Sequence, residues 1–191
     1  MKGMLTGFAL MLCLAAPAAM AEDDYVPGTT HFTIDTGVLF GGDKLADRTY
    51  VLGGTDSVYA GKGVFADAGF LHDFEASDWA LKGTVGIFSG FSTGFGSDIA
   101  FKRYPVDLVL LYNVGHQHFG GGLTYHANPK FNGNGHVPDM TFKDPVGLML
   151  EYQYRFIGIR YTNIRYRVDS PCSGRCSFDG SNLGLFFNFV F

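Results

Sequence analysis

The sequence predicts an all-β chain folded as an eight-stranded antiparallel up-and-down transmembrane β-barrel, and three observations carry that prediction. At residues 181–191, Leu183, Leu185, Phe187, Phe189 and Phe191 share one face while Asn182, Gly184, Phe186, Asn188 and Val190 share the other. This is the two-residue period of a strand with one side apolar enough for lipid. Composition agrees: 16% aromatic residues, 27 glycines and only 17% charged residues suit strands and turns better than helices. Past the N-terminal region no apolar stretch has the length of a membrane-spanning helix, and the longest, Val106 to Tyr112, contains Asp107. Such a chain can still cross a membrane if every backbone group pairs within a closed barrel.

Residues 1–21 have the anatomy of a cleavable export signal, with Lys2 as a basic start, an apolar run from Leu5 to Leu14, and Ala19-Met20-Ala21 before the cut. Leu12 precedes Cys13 where a lipoprotein signal needs a small residue, so an acylated start is not expected. Cleavage of 21 of the 191 residues leaves a mature chain of 170, a single domain over 22–191. Removing Lys2 from the 14 basic residues leaves 13 against 18 acidic ones, a net of −5 that argues against a nucleic-acid partner.

Eight alternating stretches follow in order. The first, about His31 to Phe40, turns Phe32, Ile34, Val38 and Phe40 outward, and the second, about Gly61 to Phe74, turns out Val64, Ala66, Ala68 and Phe70. The third, Trp79 to Phe91, presents Trp79, Leu81, Val85 and Ile87, and the fourth, Ile99 to Asn113, presents Tyr104, Val106, Leu108, Leu110 and Tyr112. The fifth, His118 to Asn128, turns out Phe119, Leu123 and Tyr125. In the sixth, Val146, Leu148, Leu150, Tyr152, Tyr154 and Phe156 alternate with Gly147, Met149, Glu151, Gln153 and Arg155. The seventh, Ile157 to Val168, begins with Ile157, Ile159 and Tyr161 outward and shifts to Ile164, Tyr166 and Val168, which predicts a β-bulge near Thr162-Asn163. The eighth is the terminal strand. Short links near 75–78, 114–117 and 156–158 alternate with long ones at 41–60, 92–98, 129–145 and 169–180.

A soluble sandwich or lipocalin-like barrel would alternate too, with its apolar face inward. Here the faces opposite the apolar stripes carry Asp35, Asp67, Lys82, Arg103, Asp107, Glu151, Arg155 and Arg160. Four acids and four bases are what a packed polar plug needs, because eight strands leave room only for side chains and an unpaired buried charge is costly.

Together with the export signal, the terminal strand resembles the closing strand of small eight-stranded bacterial outer-membrane β-barrels. The resemblance implies a Gram-negative outer-membrane, cell-surface location, contact with outer-membrane lipid and lipopolysaccharide, a monomer, and recognition of Phe187, Phe189 and Phe191 by the barrel assembly machinery. In that setting short turns are periplasmic and long loops external. Phe70, Trp79, Tyr112, Tyr152, Tyr154, Phe156 and Phe191 then fall at the periplasmic aromatic girdle, and Lys62, Lys102, Arg165 and Arg167 at the outer rim, where they either pair with lipopolysaccharide phosphates or extend their strands into water.

Candidate chemistry is sparse. Cys172 and Cys176 enclose three residues of the last long loop, and in an oxidising compartment they predict a disulfide clip. His116 and His118 share one side of a strand but lack a third ligand in sequence, and His126 and His136 read as polar filler, so no metal, cofactor or catalytic residue is assigned. Some barrels of this size act on lipid A; the deacylase type carries His-x-Ser-Asn on its penultimate strand, where this chain has Arg160-Tyr161-Thr162-Asn163, without the base that would activate a nucleophile. The expected function is therefore non-catalytic, with surface loops in structural or surface-contact roles. A narrow porin-like channel for a small solute or ion is the alternative, and a lipid-modifying enzyme the third.

Overall fold

The computed structural model describes residues 28–49, 55–91, 100–135, 138–169 and 176–191. The export signal and His136 lie outside them, as do Cys172 and the linker at 92–99. Thirteen strands follow in order: β1 (Thr30–Gly41), β2 (Lys44–Thr49), β3 (Thr55–Tyr59), β4 (Gly63–Asp73), β5 (Trp79–Phe91), β6 (Ala100–Val114), β7 (Gln117–Asn132), β8 (Met140–Thr141), β9 (Val146–Tyr154), β10 (Ile157–Asn163), β11 (Arg165–Arg167), β12 (Ser177–Asp179) and β13 (Asn182–Val190).

Eight of these make the wall. Their order is β6-β5-β4-β1-β13-β10-β9-β7, and β6 pairs with β7, so the sheet closes on itself. Every pairing is antiparallel, including the seam where Thr33 to Gly41 of β1 meet Val190 to Asn182 of β13. Closure leaves no unpaired edge. Neighbours in sequence are neighbours in space apart from that seam, the up-and-down topology expected. The predicted strand limits differ from the observed ones by up to five residues: β7 runs four past its predicted end, and β10 stops at Asn163, five short of Val168, where β11 takes over.

At the end holding Thr30 of β1 and Val190 of β13 the links are tight. Gly115-His116 joins β6 to β7 and Arg155-Phe156 joins β9 to β10, and Gly115 (φ 58) and Arg155 (φ 54) adopt the left-handed backbone that two-residue hairpins require. The opposite end is more elaborate than a set of loops. The β2–β3 hairpin rises between β1 and β4, β11 pairs with β12, and β8 adds to the extension of β7.

Burial alternates along each strand with the opposite sense to a soluble barrel. On β13, Leu183 (55% exposed) and Leu185 (53%) flank Gly184, while Phe186 (1%) points into the lumen. The same contrast runs through β6, where Leu108 and Leu110 are exposed and Asp107 and Val109 buried. The lumen is layered: Thr33, Asn188 and Gln153 near the tight turns, a charged belt at mid-height, then an aromatic core of Phe88, Phe101, Phe131, Phe142, Tyr166 and Phe178 towards the long loops. Phe101 stands edge-on to Phe142 (5.8 Å) and to Tyr166 (5.3 Å).

This layering corrects one expectation. Ile164 (2% exposed) and Tyr166 (0%) face inward, and burial alternates without a break from Gly158 to Tyr166. The sequence change near Thr162-Asn163 marks the height at which the inner face turns from polar to apolar and the chain passes from β10 into β11. The irregularity in the wall falls elsewhere, between β6 and β7, where Asn128 (φ 50) and Pro129 stand opposite the single residue Arg103. A bulge is one of the few places a sheet accepts proline.

Candidate functional site

At mid-lumen, residues from seven wall strands converge on Arg160 of β10. Its Nε donates to Glu151 Oε1 (2.6 Å), Nη2 to Asp35 Oδ2 (2.9 Å), and Nη1 to Asp67 Oδ2 (3.0 Å) and Asp107 Oδ2 (3.4 Å). Lys82 of β5 donates to Asp35 Oδ2 (3.0 Å) and to Glu151 Oε2 (2.8 Å). The Asn188 amide donates to Asp35 Oδ1 and to the Thr33 hydroxyl, tying the belt to the layer beneath. All these groups are buried. The guanidinium of Arg160 also lies over Phe65 (4.9 Å) and Phe186 (5.1 Å), so its faces contact rings while its edge is taken by carboxylates.

Glycine makes the room. A Cβ at Gly86 would lie 1.9 Å from Asp67 Oδ1, and one at Gly158 would lie 2.4 Å from the Phe186 ring. These two inward positions carry no side chain because the neighbouring strand's side chain lies over them.

Seven of the eight predicted lumen charges are inside: Asp35, Asp67, Lys82, Arg103, Asp107, Glu151 and Arg160. Arg155 is not. It is exposed in the β9–β10 turn, where its backbone N–H donates to His116 and its guanidinium reaches Tyr154 (5.8 Å). The period of β9 extends on paper past the point where the strand bends over, which is why sequence places Arg155 inward. Arg103 sits one layer above the belt, donating to the carbonyl of Ala60 (2.6 Å) and stacking on Phe88 (3.6 Å). Of the eight expected lumen charges, those buried are therefore four acids and three bases rather than four of each, and Asp73, near the tight turns, is a further buried acid.

The predicted rim residues Lys62, Lys102, Arg165 and Arg167 are all exposed at the long-loop end. Register adds what sequence missed: Lys102 stands directly opposite Lys130 across β6 and β7, and Lys143 joins the same side by bonding Arg167 through the backbone. Both lysines lie in a stretch that Pro129 and Gly135 make look like loop. In the β2–β3 hairpin, Lys44 donates to Asp47 (2.6 Å), which raises the Lys44 ammonium above its usual range, and this bond with a second from Ser57 holds the Asp47 carboxyl below its own.

At the tight-turn end, the expected aromatic girdle forms contacts around the wall: Phe32 with Phe70 (5.9 Å) and Phe191 (6.3 Å), Trp79 with Tyr112 (4.9 Å), Phe119 with Tyr152 (5.1 Å), and Phe156 with Phe187 (6.4 Å). His126 is buried and bonded to the Tyr166 hydroxyl (2.5 Å), while His118 bonds Asn113 (2.7 Å) and His116 is exposed in its turn. Among the described residues no group of three or more His, Cys, Asp or Glu side chains is placed to hold a metal ion. The Cys172–Cys176 pairing falls partly outside the described residues.

Fold and lumen define a closed eight-stranded antiparallel β-barrel with a charge-filled interior and an apolar exterior. No family model matches the chain, and no curated protein matches it. Among solved structures it is similar to neisserial surface protein A (NspA), with 10% sequence identity and a TM-score of 0.45 over 85% of this chain and 97% of that one.

Proposed function

We propose that the chain is a non-catalytic integral barrel of the bacterial outer membrane, a monomer inserted by the barrel assembly machinery, with a basic outer rim that contacts lipopolysaccharide. The observation that carries this reading is the pairing of faces. Large apolar side chains stand exposed on all eight wall strands, among them Val38, Phe70, Ile87, Leu108, Leu123, Leu148, Ile159 and Leu185, while seven charges in and just above the belt are buried inside. Water would penalise that exterior, since soluble monomers rarely expose apolar patches beyond a few hundred Å². Hydrocarbon accepts it, and the lumen then supplies the plug.

The rim reading rests on Lys102 and Lys130. Like charges directly opposite across two strands repel, and an anion between them removes that cost. Arg165 and Arg167 of β11, with Lys143 bonded to Arg167 through the backbone, lie just above the apolar belt, at the height of lipid phosphates. A filled lumen disfavours the channel reading. In the test, protein refolded in detergent should migrate differently on a gel before and after boiling, bind lipopolysaccharide, lose most of that binding in the Lys102→Glu/Lys130→Glu variant, and give negligible current in a planar bilayer. Identical migration in both states sinks the membrane barrel. Unchanged binding by the variant sinks the rim, and a stable current through the parent replaces the structural role with transport.

A further inference from the structure

The buried charges do not balance. Facing the belt are Asp35 from β1, Asp67 from β4, Lys82 from β5, Asp107 and Arg103 from β6, His126 from β7, Glu151 from β9 and Arg160 from β10. Four carboxylates meet three permanent cations even when Arg103 is counted, which leaves one negative charge over in a space where an uncompensated charge is costly.

The bonding shows where the excess lies. Asp35 is held by Lys82, Arg160 and Asn188, and Glu151 by Arg160 Nε and Lys82. Asp67 and Asp107 share a single donor, Arg160 Nη1, and the Oδ1 atom of each is buried with no hydrogen-bond partner. Arg103 Nε, a buried donor, is also unpartnered. Asp67, Asp107 and Arg103 line one cavity of about 20 Å³, together with Thr124, His126 and Arg160, which is room for a single water molecule on the scale of roughly 10–15 Å³ for each.

We propose that this cavity is a proton site: Asp67 and Asp107 hold one proton between them, beside one enclosed water. The proton comes from a hydronium ion of the solvent as the barrel closes: one of its O–H bonds breaks, one O–H bond forms on a carboxylate oxygen, and the water left behind returns to solvent. The protonated acid gains a donor that its neighbouring carboxylate or the water accepts, the water accepts from Arg103 Nε, and the named belt residues reach charge balance. A metal cation would satisfy the two oxygens but would face Arg103 and Arg160 across the same cavity and leave Arg103 Nε without an acceptor. The inference rests on the interior alone and holds whatever the rim binds.

Infrared spectroscopy of the refolded protein at neutral pH tests it. The parent should show the carbonyl stretch of one protonated carboxylic acid, shifted in D₂O. Asp67→Asn and Asp107→Asn should each abolish the band, because three carboxylates against three cations need no proton, and each should keep its unfolding equilibrium constant within about tenfold of the parent. Asp35→Asn, which loses bonds to both cations, should change it by more than about a hundredfold. The parent spectrum decides the matter even if a variant fails to fold. Absence of the band in the parent overturns the proposal. So does a melting temperature that rises with sodium or potassium chloride but not with choline chloride at equal ionic strength, which would assign the cavity to a metal cation.

Discussion

Replacing Arg160 with alanine removes the one side chain that touches all four carboxylates of the belt. Glu151 and Asp35 would keep Lys82, whereas Asp67 and Asp107 would keep no cation within 4.0 Å. Breaking a buried ion pair by removing one partner costs about 3–5 kcal/mol. With at least two carboxylates stranded the loss should reach the top of that range, and water entering the space vacated would reduce it. Trp79 is the single tryptophan and stands on the outer face against Tyr112, so its fluorescence reports directly on the wall. Urea unfolding in lipid vesicles, followed by that signal and by the gel shift on boiling, gives the difference in stability. Arg155→Ala is the control: the residue is exposed in a turn and should change stability by no more than about 0.5 kcal/mol. An Arg160→Ala barrel within about 1 kcal/mol of the parent would refute the reasoning, as would an equal loss in Arg155→Ala.

Gly86→Val should destabilise the barrel by about 1–3 kcal/mol through a clash with the Asp67 carboxylate, while Gly121→Val, on the exposed face of β7, should fold normally; equal effects in urea unfolding would count against the packed lumen. Deleting Phe191 or replacing it with aspartate should lower surface levels in cells more than refolding yield in detergent, and undiminished surface levels would remove the assembly-signal reading. Thiol labelling of the mature protein should find neither Cys172 nor Cys176 reactive until a reductant is added, and mutating either should leave melting nearly unchanged, because so short a closed loop removes little unfolded-chain entropy. Labelling of both thiols without reductant contradicts the clip.

The wall was legible in sequence because each strand alternates between lipid-like and small or charged residues, a contrast that period alone reveals. What period cannot show is where a strand bends over or what fills the space it faces. Arg155 continues the inward rhythm of β9 one residue into the turn, and so reads in sequence as a lumen residue. Ile164 and Tyr166 look lipid-facing because they are apolar, yet they line the aromatic upper core. Lys130 and Lys143 were hidden by Pro129, which marks a bulge rather than the end of β7. The lumen charges were found one by one, but the dominance of Arg160 over the other bases depends on the register of strands distant in sequence, as does the convergence of Asp67 and Asp107 on it.

The β1–β13 seam joins the first wall strand to the last. Contacts that bridge nearly the whole chain carry the greatest loop-closure entropy and form slowly. Until β13 arrives, β1 and β10 present two open edges, and no arrangement of the other seven strands satisfies them. The wall is thus closed at a single stitch, made by the last of its eight strands. Loss of β13 would leave an open sheet with two adhesive margins instead of a slightly weaker barrel. Retention of β13 is a condition for closing the wall.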